Sequence, residues 1–290
     1  MSKLIRIGTF NNKLALSQAN AVAALIKPSG YTTEVIVFDT NEKHLTVLED
    51  ALLQGTIDII SFHASYIPAR LNDALDLLAF TEREAVNDVL ISRKKTALSN
   101  PGIRVGTNSL RRIAFLRHFY PDVTIVPVPE NLSARIKQME AGEYALLMSY
   151  TDAQRLELEN RVVEKIETSY FVPTVGQGSI AIVCHKKLSF DKKEIIQRWV
   201  NHEETEDCIR TERSFLKTFQ DGQRIPAFGY AHFEGNLITL KAGLISRDGK
   251  RVIKAKRSST IAGCKEMGKK VAREVLQNGG AEILRAIEVS

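Results

Sequence analysis

The residue types that bind an anion come together in Val105-Gly-Thr-Asn-Ser-Leu-Arg-Arg112. A strand-like run ends at Gly106, hydroxyl and amide side chains follow, and a helical pattern begins at Leu110. At such a junction the first N–H groups of a helix lack intrahelical partners, and the helix dipole presents its positive end. Arg111 and Arg112 fall in the first turn, where a cation opposes the dipole, and an acidic ligand would relieve that conflict. The same pattern also reads as an ordinary Asn/Ser-capped helix with solvent-facing arginines. Asn131-Leu-Ser-Ala-Arg135 repeats the arrangement at the start of the next helix. Two such segments after parallel strands stand where open α/β sheets bind their ligands. Thr107, Asn108, Ser109, Arg111, Arg112, Asn131 and Arg135 are therefore candidate ligand-binding residues.

Other chemistries find less support. His44 and His63 lack a third ligand at metal spacing, so no metal site is expected and both read as satisfied or exposed polar residues. No nucleophile elbow, P-loop or dinucleotide-binding glycine pattern occurs, and Gly176-Gln-Gly178 is too short for any of them. Cys184, Cys208 and Cys264 form an odd set without CxxC spacing. That argues against a disulfide framework or a zinc site and for a reducing cytoplasmic compartment.

These candidates must be positioned by a chain of 290 residues, 44% hydrophobic and 26% charged, a length that calls for more than one compact unit. Nothing at the N-terminus reads as a signal peptide, and no apolar run is long enough to span a membrane. The net charge of +6 is unevenly placed. Residues 241–273 carry eleven lysines and arginines against Asp248 and Glu266. This reads as a solvated basic face, with a polyanion partner as the sharper alternative. Aromatic residues are not interleaved with these charges, so a stacking platform for single strands is not expected.

Periodicity divides the chain into three. Leu4–Gly8, Thr33–Phe38 and Ile57–Ser61 read as strands separated by helical stripes over 14–26 and 45–53, the pattern of a parallel α/β sheet. The pattern restarts after Pro101, with strands at 103–106, 123–128 and 145–149 and helices at 110–119 and 132–140. Ser179–Cys184 reads as an apolar strand that returns to the first sheet. A helix over 205–218, three alternating strands and a helix near 265–277 complete an α+β region. The expected division is 1–95 with 175–203, then 96–174, then 204–290.

Ile5-Arg-Ile-Gly-Thr9, Leu14-Ala-Leu-Ser-Gln-Ala19, Val105–Arg112, Gly142-Glu-Tyr144, Val175-Gly-Gln-Gly178 and Asn278–Leu284 occur in the order found in the hydroxymethylbilane synthases, or porphobilinogen deaminases. By these motifs, spread over nearly the full length, the chain resembles that family. The resemblance implies two lobes like those of periplasmic binding proteins plus a small C-terminal α+β domain. It implies a role in tetrapyrrole (heme) biosynthesis, and places Thr107, Ser109, Arg111, Arg112, Asn131 and Arg135 where the family binds acetate and propionate groups of pyrroles, with Gln177 of Val175-Gly-Gln-Gly178 as a further candidate ligand-binding residue.

Departures from the family pattern fall on its reactive positions. Gln223 stands where the family carries the cysteine that holds the dipyrromethane cofactor by a thioether, and a carboxamide supplies no sulfur nucleophile. No cofactor is expected on that ground. The pattern Asp-Ile-Ala-Val-His-Ser-x-Lys-Asp-x-Pro appears as Asp58–Pro68, with Ser65 for the lysine and Tyr66 for the catalytic aspartate. Phe10 replaces an arginine, Asn12 a serine, Asn108 a serine and Pro129 a carboxylate-binding arginine, and Glu130 replaces a glycine. The segment Asp39–Leu45 is shorter than the family's mobile loop. The resulting expectation is a porphobilinogen deaminase-like protein with lost or altered catalysis and no catalytic residue to name. Its partner is then a small acidic, pyrrole-like ligand, with no membrane and a monomeric state. The alternatives are a non-catalytic binder of a small carboxylate ligand, or a polyanion binder acting through the basic C-terminal domain.

Overall fold

The computed structural model describes residues 3–39, 45–219 and 225–288. His44, most of the shortened Asp39–Leu45 segment, and Gln223 lie outside the described residues. The chain opens with β1 (Leu4–Phe10), α1 (Lys13–Ile26), β2 (Thr32–Phe38), α2 (Leu45–Leu53), β3 (Ile59–His63) and β4 (Leu75–Phe80). It continues with β5 (Asp88–Ile91), β6 (Arg104–Gly106), α3 (Leu110–Phe119), β7 (Thr124–Val126) and α4 (Leu132–Ala141). Then come β8 (Ala145–Ser149), α5 (Tyr150–Arg155), β9 (Val162–Lys165), β10 (Ile180–His185), α6 (Phe190–Val200) and α7 (Glu203–Leu216). The C-terminal part holds β11 (Ala227–Glu234), β12 (Leu237–Ile245), β13 (Val252–Ser259), α8 (Cys264–Val275) and α9 (Ala281–Glu288).

One compact unit is 1–84 with 178–207, built on a five-stranded sheet in the order β2-β1-β3-β10-β4. Its first three strands are parallel, but β10 runs antiparallel to both β3 and β4, so the sheet is mixed where the sequence predicts a parallel one. Strand residues alternate between faces, so Ile5, Ile7, Ile59, Ile180 and Ile182 share a core with Ala19, Val22 and Ile26 of α1 and Ile196 and Val200 of α6. Gly8 alternates with Ile7, and a Cβ there would come within 2.4 Å of Ile57 and 3.4 Å of Leu48 from α2. Glycine therefore makes room for the Ile57 side chain on the second face. Asn12 caps α1 by accepting from Ala15 N at 2.9 Å, so it supplies the cap expected of the serine it replaces.

The other unit is 85–177 with 208–290. Its larger sheet has the order β7-β6-β8-β5-β9, with β5 antiparallel to both β8 and β9. Residues 85–95, assigned from sequence to the first lobe, thus belong with the second. Four buried residues of β5 pair with β8 there, and so short a strand has no period that names its sheet. The C-terminal domain is an antiparallel sheet β11-β12-β13 with α7 and α8. It shares one core with the second lobe: Phe115 of α3 meets Phe171 at 5.0 Å and Phe228 of β11 at 5.1 Å between ring centroids. Glu212, fully buried on α7, accepts from Gly176 N at 2.8 Å and Ala231 N at 2.7 Å, tying that helix to both parts. The two α/β lobes and small α+β domain match the fold class expected from sequence. Among the described residues no helix is long and apolar enough to cross a membrane.

Candidate functional site

On the second lobe, β6 and β7 are adjacent and parallel, and each delivers its chain into a capped helix. Ser109 caps α3, its hydroxyl accepting from Arg112 N at 3.4 Å. Asn131 caps α4, its carboxamide accepting from Ala134 N at 3.1 Å. The two loops are laced together by Asn108, whose Nδ2 donates to Val128 O at 2.9 Å while its Oδ1 accepts from Val128 N at 3.3 Å. A Cβ on Gly106 would stand 2.5 Å from Val128 and 2.8 Å from the Tyr144 ring, so only glycine allows this approach. The result places two helix N-termini side by side at the carboxyl ends of parallel strands, as the spacing predicts.

The side chains behave differently. Arg111 is 4% exposed and turned inward, donating through Nη2 to Asp88 Oδ2 at 2.5 Å and through Nη1 to Val172 O at 2.8 Å. Arg112 donates to Asp88 Oδ1 through Nε at 2.9 Å and Nη2 at 2.7 Å. The sequence aims both guanidiniums at a ligand, whereas the structure pairs both with one buried carboxylate. Burial opposes the charge on Asp88, but the two arginines outweigh it and hold the carboxyl below its ordinary range. Gln177 joins the same group, with Nε2 donating to Val86 O at 2.7 Å and Asp88 Oδ1 at 3.3 Å. Thr107 is buried and accepts from Ser109 N at 3.3 Å. Arg135 bridges the Pro129 and Glu130 carbonyls.

The nominated residues therefore do converge, as a preorganised frame that fixes two helix ends. Arg112, with 17% of its side chain exposed, is the guanidinium of the Asp88 group that reaches the surface. Asp88 is the residue that sequence reasoning missed. Its signal is a lone acid at the head of the apolar run Val89-Leu-Ile91, where a carboxylate is buried only if paired.

On the first lobe, Tyr66 follows β3 and is 58% exposed. Its ring meets Phe62 at 5.9 Å and His63 at 5.6 Å. Ser65, in the lysine's position, is turned back to His63, with 2.7 Å between its Oγ and Nδ1. Phe10, at the end of β1, meets Phe62 at 6.0 Å. Phe10 and Tyr66, two positions where the resemblance expects charge, thus flank Phe62 in an aromatic cluster. At the opposite end of the strands, Asp58 accepts from Arg6 and Lys192 and belongs to the scaffold.

Comparison with known proteins defines the class. Residues 5–193 match the family described as porphobilinogen deaminase, dipyromethane cofactor binding domain, and residues 207–277 match porphobilinogen deaminase, C-terminal domain. The chain belongs to the porphobilinogen deaminase family. The porphobilinogen deaminase of Desulfosudis oleivorans is 37% identical, covering 98% of this chain and 97% of that protein. That of Cytophaga hutchinsonii is 35% identical, covering 99% and 98%. Among solved structures, immunogenic lipoprotein A from Vibrio vulnificus is similar with a TM-score of 0.48 at 15% identity, covering 70% of this chain and 96% of that one.

The family match overturns the expectation of no cofactor, because the domain matched over most of the chain is the one that binds dipyrromethane. The described residues fit the acidic side of such a group: two capped helix N-termini with Arg112 beside them suit its carboxylates. They offer no accessible sulfur. Cys184, Cys208 and Cys264 are all buried, and burial pushes the Cys184 thiol up to about 11.

Proposed function

We propose that this chain serves tetrapyrrole biosynthesis as a porphobilinogen deaminase-like protein that binds acidic pyrroles and whose turnover of porphobilinogen is lost or altered. Similarity over nearly the whole length to proteins named porphobilinogen deaminase supports the pathway. The observation that carries the altered turnover is Tyr66 at the exposed end of β3. By resemblance, an aspartate there supports the cation formed as ammonia leaves. A phenol, with a pKa near ~10, is neutral at pH 7 and cannot offset that charge. Dipyrromethane, when bound, supplies the primer on which the pyrrole chain is built. The part of this chain's second lobe is to hold acidic side groups, with the N-termini of α3 and α4 and Arg112 as the candidates. A reducing, cytoplasmic setting agrees with three buried cysteines that form no disulfide.

The test is a side-by-side assay of ammonia release and uroporphyrin formation against the Desulfosudis oleivorans relative. Loss of an electrostatic catalyst costs ~10²–10³ in rate, and a deficit at least that large is expected. Turnover within ten-fold of the relative refutes the altered-catalysis reading and leaves the family role in place.

A further inference from the structure

The basic run over 241–273 divides between two surfaces of the C-terminal domain. In the antiparallel sheet, Tyr230 of β11 lies opposite Lys241 of β12, and Lys241 lies opposite Lys256 of β13. His232, Thr239 and Ser258 form the next row in the same way, and Phe228, Gly243 and Lys254 the row before. Strand residues two apart share a face, so Lys241, Lys254 and Lys256 stand together with Tyr230 and His232. Arg257 alternates to the other face and pairs with Glu274 of α8 at 2.7 Å, while Lys265, Lys269, Lys270 and Arg273 ride on α8 itself. At one end the lysine-bearing face packs on the second lobe through Phe228, Ile245 and Val252. At the other it is open: Lys254, Lys256 and Ser258 are exposed, and the His232 side chain is 37% exposed.

Like charges directly across a ladder destabilise a sheet, yet Lys241 faces Lys256, with Lys254 two residues further along β13. Burial and the charges of Lys254 and Lys256 push the Lys241 ammonium below its ordinary range. Glu234, the one acid of these rows, pairs with Lys256 at 3.1 Å and offsets part of the repulsion, but no acid of these rows lies opposite Lys254. A bound anion would relieve the rest. Beside the lysines the rings of Tyr230 and His232 are stacked, 5.2 Å between centroids and 15° between planes. Strand pairing thus brings aromatic rings to charges with which they are not interleaved in sequence. We infer that this face binds single-stranded nucleic acid, with its phosphates held by Lys241, Lys254 and Lys256 and a base stacked against the Tyr230–His232 pair. Every base has a π face to offer such a pair, and a single strand leaves that face free. An acidic protein would engage the lysines but leave the rings unused. The inference goes beyond the pyrrole-binding reading and does not depend on it.

The experiment is fluorescence anisotropy of the full chain with labelled oligothymidylate and oligouridylate strands of about twelve nucleotides, and with a duplex of the same length. Binding of either strand supports the inference, and a preference between them identifies DNA or RNA as the occupant. The slope of log affinity against log salt is expected near about −2, since each single-strand phosphate contact contributes about −0.7. Lys254→Gln with Lys256→Gln is expected to weaken binding about ten-fold at low salt and to reduce that slope by about 1.4. His232→Ala is expected to weaken binding about five-fold or more, and His232→Phe, which keeps a ring, to bind as wild type does. Lys269→Gln with Lys270→Gln, on α8, is expected to change nothing. A wild-type chain that binds neither strand overturns the inference. An equal loss from the α8 pair assigns the effect to net charge and overturns it too. So does a duplex held as tightly as the single strands, or equal weakening by His232→Phe and His232→Ala. Displacement of the strand by polyglutamate at equal charge assigns the face to an acidic protein instead.

Discussion

Asp88 and Arg111, twenty-three positions apart in sequence, meet inside the second lobe at 2.5 Å with both side chains buried. The same carboxylate holds Arg112 and accepts from Gln177, so one acid at the head of β5 orients the first turn of α3 and the segment that ends the lobe. Arg111 is thereby a scaffold residue, and its removal is to be read first in stability.

Asp88→Ala leaves the buried Arg111 without its carboxylate, a loss of about 3–5 kcal/mol, whereas Arg111→Ala leaves Asp88 with Arg112 and Gln177 and costs less. Thermal melts are expected to show a drop of roughly 10 °C or more for Asp88→Ala and a smaller drop for Arg111→Ala. Because the two share one interaction, the double variant is expected to melt well above the sum of the two losses, which a double-mutant cycle measures. A melting temperature unchanged in Arg111→Ala would contradict the buried pair.

The pH dependence of stability follows from the same carboxylate. Asp88 is held below its ordinary range when folded and returns to about 3.9 when unfolded. Its contribution is present above the unfolded value and is lost as pH falls through the folded one. Asp58 behaves likewise: burial opposes its charge, but hydrogen bonds from Arg6 and Lys192 outweigh burial. Denaturant midpoints are therefore expected to be flat near neutrality and to fall steeply below about pH 4. Asp88→Asn is expected to flatten that acid limb, and an acid limb identical to wild type would exclude Asp88 as its source.

Restoring charge on the first lobe tests the catalytic deficit. Ser65→Lys with Tyr66→Asp returns the family pattern at the end of β3 without disturbing a buried residue, since Tyr66 is exposed and Ser65 half-buried. Porphobilinogen turnover by the double variant is expected to exceed that of the wild-type chain. Turnover no higher than wild type would move the deficit to another position.

Gly106→Ala tests the approach of the two loops that lead into α3 and α4. The added methyl meets Val128 and the Tyr144 ring at distances that no Cβ tolerates, and overpacking of this kind costs about 1–3 kcal/mol. The variant is expected to lose stability and to weaken porphobilinogen binding together, as the ends of α3 and α4 are pushed apart. A variant with wild-type melting temperature and affinity would show that the loops accommodate a side chain.

What the sequence made legible was local. The starts of α3 and α4 could be read because Ser109 and Asn131 cap their own helices within three residues. The three-part organisation showed in hydrophobic periods confined to single elements. Long-range pairing did not show. The inward turn of Arg111 and Arg112 depends on Asp88, which reaches α3 only because β5 pairs with β8 across the sheet. Helix α6 went unread, although Ile196 and Val200 supply part of the first core. The aromatic cluster was visible only as two separate substitutions, Phe10 and Tyr66, and Phe62 joined them into one cluster only when β1 and β3 were laid side by side.

The position of β10 also sets a timetable. In the order β2-β1-β3-β10-β4, it fills the slot between two strands made about a hundred residues earlier. As the polypeptide leaves the ribosome, β3 and β4 emerge with an open gap between them, while 85–177 can already gather its own sheet. The half of the protein that is synthesised first is thus finished late, and its unpaired strand edges stand exposed in the interval. Nascent chains arrested before Ile180 are the state in which this protein most needs a chaperone.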